Sequence, residues 1–172
     1  IQTTPIQLCL MTAQIANGGY KIYPKIVLDE NDEDNEKDKF VPLVNNSKNI
    51  KMVQEAMFSS TNEVRGTSYK SRINNPKYQF AGKTGTAQVK RITKQDRELD
   101  LKTFEIPYEE RDHALYVAFG PYRSPRYAVS ILIEHGGSGS SVAAPIAKKL
   151  FKKIIDRHQV RKDFNSKKYL DI

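Results

Sequence analysis

The sequence predicts an α+β domain in which helices flank an antiparallel sheet. Three observations carry that expectation. Helical apolar spacing marks the first sixteen residues and the segment after Val142. Strand patterns gather between Phe80 and Glu134, and a short Gly/Pro linker joins the last two of them, which requires antiparallel pairing. At 172 residues the chain is about one domain long, and it can bury a core of ordinary proportions.

The first helix opens at Thr3-Thr4-Pro5, with a hydroxyl at the N-cap and proline where its missing N–H costs nothing. Apolar residues from Ile6 to Ala16 surround it almost completely, as for a buried helix, and Asn17-Gly18-Gly19 ends it. Tyr20 to Leu28 alternates at Ile22, Pro24, Ile26 and Leu28, which predicts a short edge strand. A second helix is expected from Ser47 to Phe58, followed by a polar stretch to Tyr78 rich in turn residues. Phe80 to Val89 reads as a strand of small residues. His113 to Phe119 and Tyr127 to Glu134 read as an antiparallel pair. A glycine-rich turn, Gly136 to Ser141, leads into a last helix from Val142 to His158. Ala143, Ala147, Leu150, Phe151, Ile154 and Ile155 form its apolar face, and lysines form the other.

The net charge of +8 is unevenly spread. Asp29 to Asp38 holds seven acidic residues and one lysine, inside a solvated acidic loop at 29–46. The charged segment 90–111 is long for a connection without structure of its own. Residues 159–172 are expected as a polar basic tail beyond the domain at 1–158. No aromatic pattern typical of nucleic-acid readers accompanies the basic charge, so a solvated surface is expected and nucleic acid is not an expected partner. No apolar run reaches the roughly 18 residues that span a bilayer. Cys9 is the single cysteine, so neither an internal disulfide nor a cysteine-rich metal site is expected. His113 and His135 have no cysteine or carboxylate at ligand spacing, which favours packing at strand ends over a metal.

Two segments carry candidate chemistry. In Gly82-Lys83-Thr84-Gly85-Thr86 a lysine sits between glycines, and Thr84 and Thr86 share one side of a strand. Two hydroxyls beside a cation suit a carboxylate, and a backbone N–H at such an edge polarises a carbonyl. A nucleotide P-loop is excluded, because its first glycine would fall where Lys77 stands. The Gly136 to Ser141 turn, between a strand and a helix, has the layout of a phosphate site, but a plain chain reversal needs the same residues.

Three stretches carry a family resemblance. These are Thr3-Thr4-Pro5-Ile6-Gln7-Leu8 through Ala16-Asn17-Gly18-Gly19, the K-T-G run Gly82 to Gln88, and Arg111 to Phe119 with Ile133-Glu134-His135-Gly136-Gly137. Gly66-Thr67 lies where the family has G-T before that strand. The chain resembles the C-terminal part of the transpeptidase domain of class B, elongation-type penicillin-binding proteins, and the match extends over nearly its whole length.

The resemblance implies an incomplete penicillin-binding/β-lactamase-like domain and acyl transfer in peptidoglycan cross-linking through a serine acyl-enzyme. It implies catalytic roles for Lys83 and for the backbone N–H of Thr86 in the oxyanion hole. Thr84, Gly85 and Thr86 would bind the carboxylate of a stem peptide or a β-lactam. No cofactor or metal is implied. The expected partners are stem peptide or β-lactam, the N-terminal part of the same protein and a cell-wall elongation glycosyltransferase. The implied location is the periplasmic face of the bacterial cytoplasmic membrane, through an anchor absent from this chain. The S-x-x-K nucleophile motif is absent too: no serine has a lysine three positions later. S-x-N is spelled at Ser47-Lys48-Asn49 and Ser60-Thr61-Asn62, both too close before Lys83 to be the family's element. The sequence thus supplies one wall of a site without its nucleophile, and enzymatic competence of the chain itself is left open. A catalytically dead remnant or interaction module is the alternative, followed by an anion-binding module built on the Gly136 to Ser141 turn and the basic tail.

Overall fold

The computed structural model describes residues 2–27, 41–90 and 101–168, with side chains to residue 158. The acidic residues 29–38 and positions 91–100 of the charged segment lie outside the described residues.

Helix α1 spans Pro5–Ala16 with the expected ends, but it is not the buried helix its apolar residues suggest: Thr12 alone is fully enclosed, and Ile6 and Met11 are exposed. The Thr4 hydroxyl accepts from the Gln7 N–H at 3.3 Å and the Gln7 side chain accepts from the Thr4 N–H at 2.8 Å, a reciprocal cap of two otherwise orphaned donors. At the other end Gln54 Nε2 donates to Ile15 O at 2.6 Å and to Ala16 O, so a neighbouring helix satisfies the last carbonyls. Gly19 turns the chain at φ 90°, where a Cβ would lie 2.8 Å from the Ile50 side chain.

The edge strand expected over Tyr20 to Leu28 does not form within its described part. A single bridge joins Tyr20 to Pro42, flanked by Lys21 N–H to Val41 O and Leu43 N–H to Gly19 O.

Helix α2 runs Ser47–Asn62, four residues beyond the expected end. The polar run Ser59 to Asn62 stays helical because its side chains find tertiary partners. Thr61 Oγ1 meets Tyr116 Oη at 2.9 Å, and Asn62 Nδ2 donates to Phe80 O at 2.9 Å.

Three strands, β1 (Ala81–Ala87), β2 (His113–Gly120) and β3 (Tyr127–Ile133), form an antiparallel sheet in the order β1-β2-β3. The β1 register pairs Ala81 with Phe119, Lys83 with Val117 and Gly85 with Leu115. The long β1–β2 connection closes where Asp112 Oδ1 accepts from Val89 N–H at 3.3 Å, and Lys90 pairs with Glu110.

Helix α3 spans Ala144–Lys168 and is entered through a π-helical turn, Gly139–Ala143. Regular α-helix therefore starts two residues after the expected Val142. It continues ten residues past the expected end, through part of the segment read as a tail.

The sheet is covered on both faces. Phe80, Tyr116, Ala118, Ala147 and Phe151 are fully buried between the sheet and α3. On the opposite face Ala81 and Phe119 pack with Met57, Ile15 and Phe58 of α1 and α2. The expected α+β arrangement of a sheet flanked by helices is the one observed.

Candidate active site

Among the described residues strand β1 is an edge strand, paired with β2 alone, so alternate backbone N–H and C=O groups point away from the sheet. Its first two residues are buried. Lys83, Thr86 and Ala87 are exposed, and Thr84 and Gly85 are half-buried. Strand alternation puts Lys83 on the α1/α2 face with Val117, and Thr84 on the α3 face opposite Tyr116.

Lys83 Nζ donates to Thr84 O at 2.8 Å and lies 3.4 Å from Thr84 Oγ1. The long side chain thereby folds back over its own strand and brings the cation to the hydroxyl side of the edge. Thr84 Oγ1 lies 3.3 Å from Thr67 Oγ1, which is 3.1 Å from Ser60 Oγ. The exposed Thr86 hydroxyl has no hydrogen-bond partner among the described residues. Cation and hydroxyls form a surface with donors to spare, suited to an anionic oxygen ligand.

Beside this edge lies a cavity of about 580 Å³ between α1, α2 and β1, lined by Met11, Ile15, Val53, Met57, Thr67 and Lys83. Its floor is apolar, and Lys83 and Thr67 stand on its wall. A concave apolar surface with a few convergent polar groups is the usual form of a ligand or partner site.

Small residues are required where β1 is approached closely. A Cβ on Gly82 would lie 2.3 Å from Tyr116 Oη, and one on Gly139 would lie 2.6 Å from Gly85 O and 2.4 Å from Leu115 O. The Gly136 to Ser141 turn is therefore packed against the candidate strand. Gly137 N–H donates to Asp112 O, Ser138 N–H to Gly136 O, and the Ser138 and Ser140 hydroxyls meet at 3.1 Å. These groups are engaged within the fold, which weighs against an anion site in the turn. His135, at φ 53°, donates its N–H to His113 Nδ1 at 3.0 Å, and the rings meet edge to face. Among the described residues no group of His, Cys, Asp and Glu could hold a metal ion.

Beyond the G-T at Gly66-Thr67, nothing in the sequence points to a role at this edge for Thr67 or Ser60. Their proximity to Thr84 spans 17 residues and more, and no local spacing announces it. The S-x-N spelled by Ser60-Thr61-Asn62 is spent on packing, with Thr61 buried and Asn62 tied to Phe58 O and Phe80 O.

Comparison with known proteins gives concordant matches. The family model for the penicillin binding protein transpeptidase domain matches residues 1–152. The peptidoglycan D,D-transpeptidase MrdA of Salmonella typhimurium is 32% identical over 163 residues, covering 89% of this chain and 25% of that protein. In the complex between penicillin-binding protein PBP2 and MreC from Helicobacter pylori, the matching chain superposes with a TM-score of 0.69 at 30% identity. The match covers 90% of this chain and 25% of that one. Pseudomonas aeruginosa PBP2, solved in complex with WCK 5153, gives a TM-score of 0.64 at 34% identity, covering 88% and 30%. The chain spans about a quarter of the length of the curated relatives it matches.

Proposed function

The chain belongs to the penicillin-binding protein transpeptidase family, and from that premise we propose that it is the part of a serine D,D-transpeptidase that supplies the K-T-G wall of the active site. The observation that carries the reading is the Lys83 ammonium, held within hydrogen-bond reach of Thr84 at the free edge of β1 beside an apolar cavity.

In this reading the nucleophilic serine belongs to the remainder of the transpeptidase and enters from the cavity side. Its Oγ attacks the carbonyl carbon of the penultimate D-Ala of a stem peptide. The C–N bond to the terminal D-Ala breaks, the departing amine takes up a proton, and an acyl-enzyme remains. An amine of a neighbouring stem peptide then attacks the ester carbonyl and releases the serine. Thr84 and Thr86 bind the terminal carboxylate through their hydroxyls, and Lys83 supplies positive potential. Gly85 keeps the strand edge open to the substrate. The Thr86 N–H contributes to the oxyanion hole, where loss of one donor costs about 100–1000-fold in rate. A β-lactam carries the same carboxylate and is attacked in the same way. No cofactor takes part in these steps.

The partners in this reading are stem peptide or β-lactam, the rest of the transpeptidase and a cell-wall elongation glycosyltransferase. The solved complex of Helicobacter pylori PBP2 with MreC adds an MreC-type protein as a partner to test. The domain works on the periplasmic face of the cytoplasmic membrane, tethered by a segment outside these residues. Among the described residues no helix is long and apolar enough to cross a membrane.

The test is labelling of the complete protein by a fluorescent penicillin. Label should survive denaturation, map to a serine outside these 172 residues, and form about 100-fold more slowly in Lys83→Ala. Label on a serine of this chain, or a Lys83→Ala rate equal to wild type, overturns the reading.

A further inference from the structure

Three consecutive residues after α2 are built to deliver one hydroxyl. A Cβ on Gly66 would lie 2.3 Å from Ser60 O and 2.5 Å from Ser59 O, so the turn is pressed directly onto the carbonyls of the helix end. Ser68 is 1% exposed, and its Oγ reaches Ser60 O at 3.1 Å and Tyr116 Oη at 3.0 Å. Tyr116 and Thr61, both fully buried, close a triangle of hydroxyls with Ser68. Between these two anchors stands the exposed Thr67, with Oγ1 placed 3.3 Å from Thr84 Oγ1.

Hydrogen-bond direction along this edge follows from its charge. An ammonium only donates, so Thr84 Oγ1 accepts from Lys83 and is left with its own O–H to give. Without a ligand, that O–H has Thr67 Oγ1 as acceptor, and Thr67 in turn has Ser60 Oγ. A bound carboxylate offers a stronger acceptor. The Thr84 O–H then turns to the anion, and Thr67 reverses to donate into the vacated lone pair of Thr84.

We infer that Thr67 is a positioning residue for Thr84: it holds the Thr84 hydroxyl in place before binding and donates to it once Thr84 has turned to the substrate carboxylate. The inference rests on the carboxylate-binding role proposed for Thr84, and it assigns to the G-T turn a function in ligand recognition. Thr67 acts through Thr84 and need not touch the substrate.

The experiment measures acylation of the complete transpeptidase by a fluorescent penicillin, resolved into the dissociation constant of the pre-acylation complex and the acylation rate constant. Thr67→Val removes acceptor and donor at nearly constant volume, and Thr67→Ser keeps both. Thr67→Val should weaken the pre-acylation complex about tenfold, the equivalent of one hydrogen bond, with the acylation rate constant within about twofold of wild type. Thr67→Ser should restore binding to within about twofold of wild type. In a Thr84→Ala background, Thr67→Val should add nothing, since its effect passes through the Thr84 hydroxyl. Thermal unfolding of each variant provides the check on folding.

A full tenfold loss on adding Thr67→Val to Thr84→Ala overturns the inference. So does a Thr67→Val variant that binds like wild type while Thr84→Ala binds poorly, and this result leaves the transpeptidase reading intact. So does a loss of binding that tracks the drop in unfolding temperature and is not rescued by serine. A Thr84→Ala variant indistinguishable from wild type overturns the carboxylate role itself and the Thr67 inference with it.

Discussion

Phe80 and Phe151 stack with ring centroids 5.0 Å apart and planes 19° from parallel, and neither is exposed to solvent. Phe80 immediately precedes the strand that carries Lys83, so this contact ties α3 to the base of the candidate site. Phe151→Ala should cost about 3–5 kcal/mol, from lost burial and the cavity left behind. Denaturant unfolding of the complete protein measures it; a cost under about 1 kcal/mol shows that the helix does not anchor the strand.

Gly139→Ala should be among the most damaging single-methyl changes, because the new Cβ meets backbone oxygens at 2.4 and 2.6 Å that no rotamer change can move. Overpacking of this kind costs typically about 1–3 kcal/mol. The displaced partner is Gly85 O, so penicillin acylation should fall together with unfolding temperature. Unchanged stability and acylation would show that the turn has room to retreat from β1.

Burial pushes the Tyr116 phenol above its ordinary value, and hydrogen bonds with Ser68 and Thr61 offset this in part. The folded state thus holds the phenolic proton more tightly than the unfolded chain does. The resulting stability is fully present below the unfolded value near pH ~10 and is lost as pH rises through the higher folded value. Tyr116→Phe should be less stable than wild type by about 1–2 kcal/mol at neutral pH, since Thr61 and Ser68 lose a buried partner. It should also decline less steeply above pH ~10. Melting temperatures at several pH values check both; parallel curves for the two proteins exclude a role for this phenol.

Thr86→Ala removes a hydroxyl that has no partner among the described residues, so stability should change by less than about 0.5 kcal/mol. The backbone N–H at residue 86 remains. In the complete enzyme, binding of the carboxylate should weaken about tenfold for penicillin and stem peptide alike, while the acylation step itself is spared. Unaltered kinetics with both ligands would remove Thr86 from the binding surface.

Much of the fold was legible because it is written in local signals. Thr4-Pro5 and Asn17-Gly18-Gly19 mark the two ends of α1 by capping and glycine backbone freedom. The strand pair closed by Gly120 to Arg126 follows from residue type and linker length. Lys83, Thr84 and Thr86 stand out by their order along one strand, and the same pattern supports the family membership that the comparisons show.

Local alternation failed where hydrogen-bond partners decide the outcome. Tyr20 to Leu28 has a strand-like pattern, but its described part makes one bridge, Tyr20 to Pro42. The polar end of α2 reads as a turn, yet it stays helical because Thr61 and Asn62 reach Tyr116 and Phe80.

The sequence by itself determined the helix caps, the strand order along the chain and the identity of the K-T-G edge. Only the tertiary structure decided that the Gly136 to Ser141 turn backs onto β1, and that Thr67 stands beside Thr84, next to the Ser68 that Tyr116 holds. The physical reason is range: caps and strand periods act over a few residues. A hydroxyl triangle joining positions 48 and 55 residues apart exists only once the sheet and α2 have packed together.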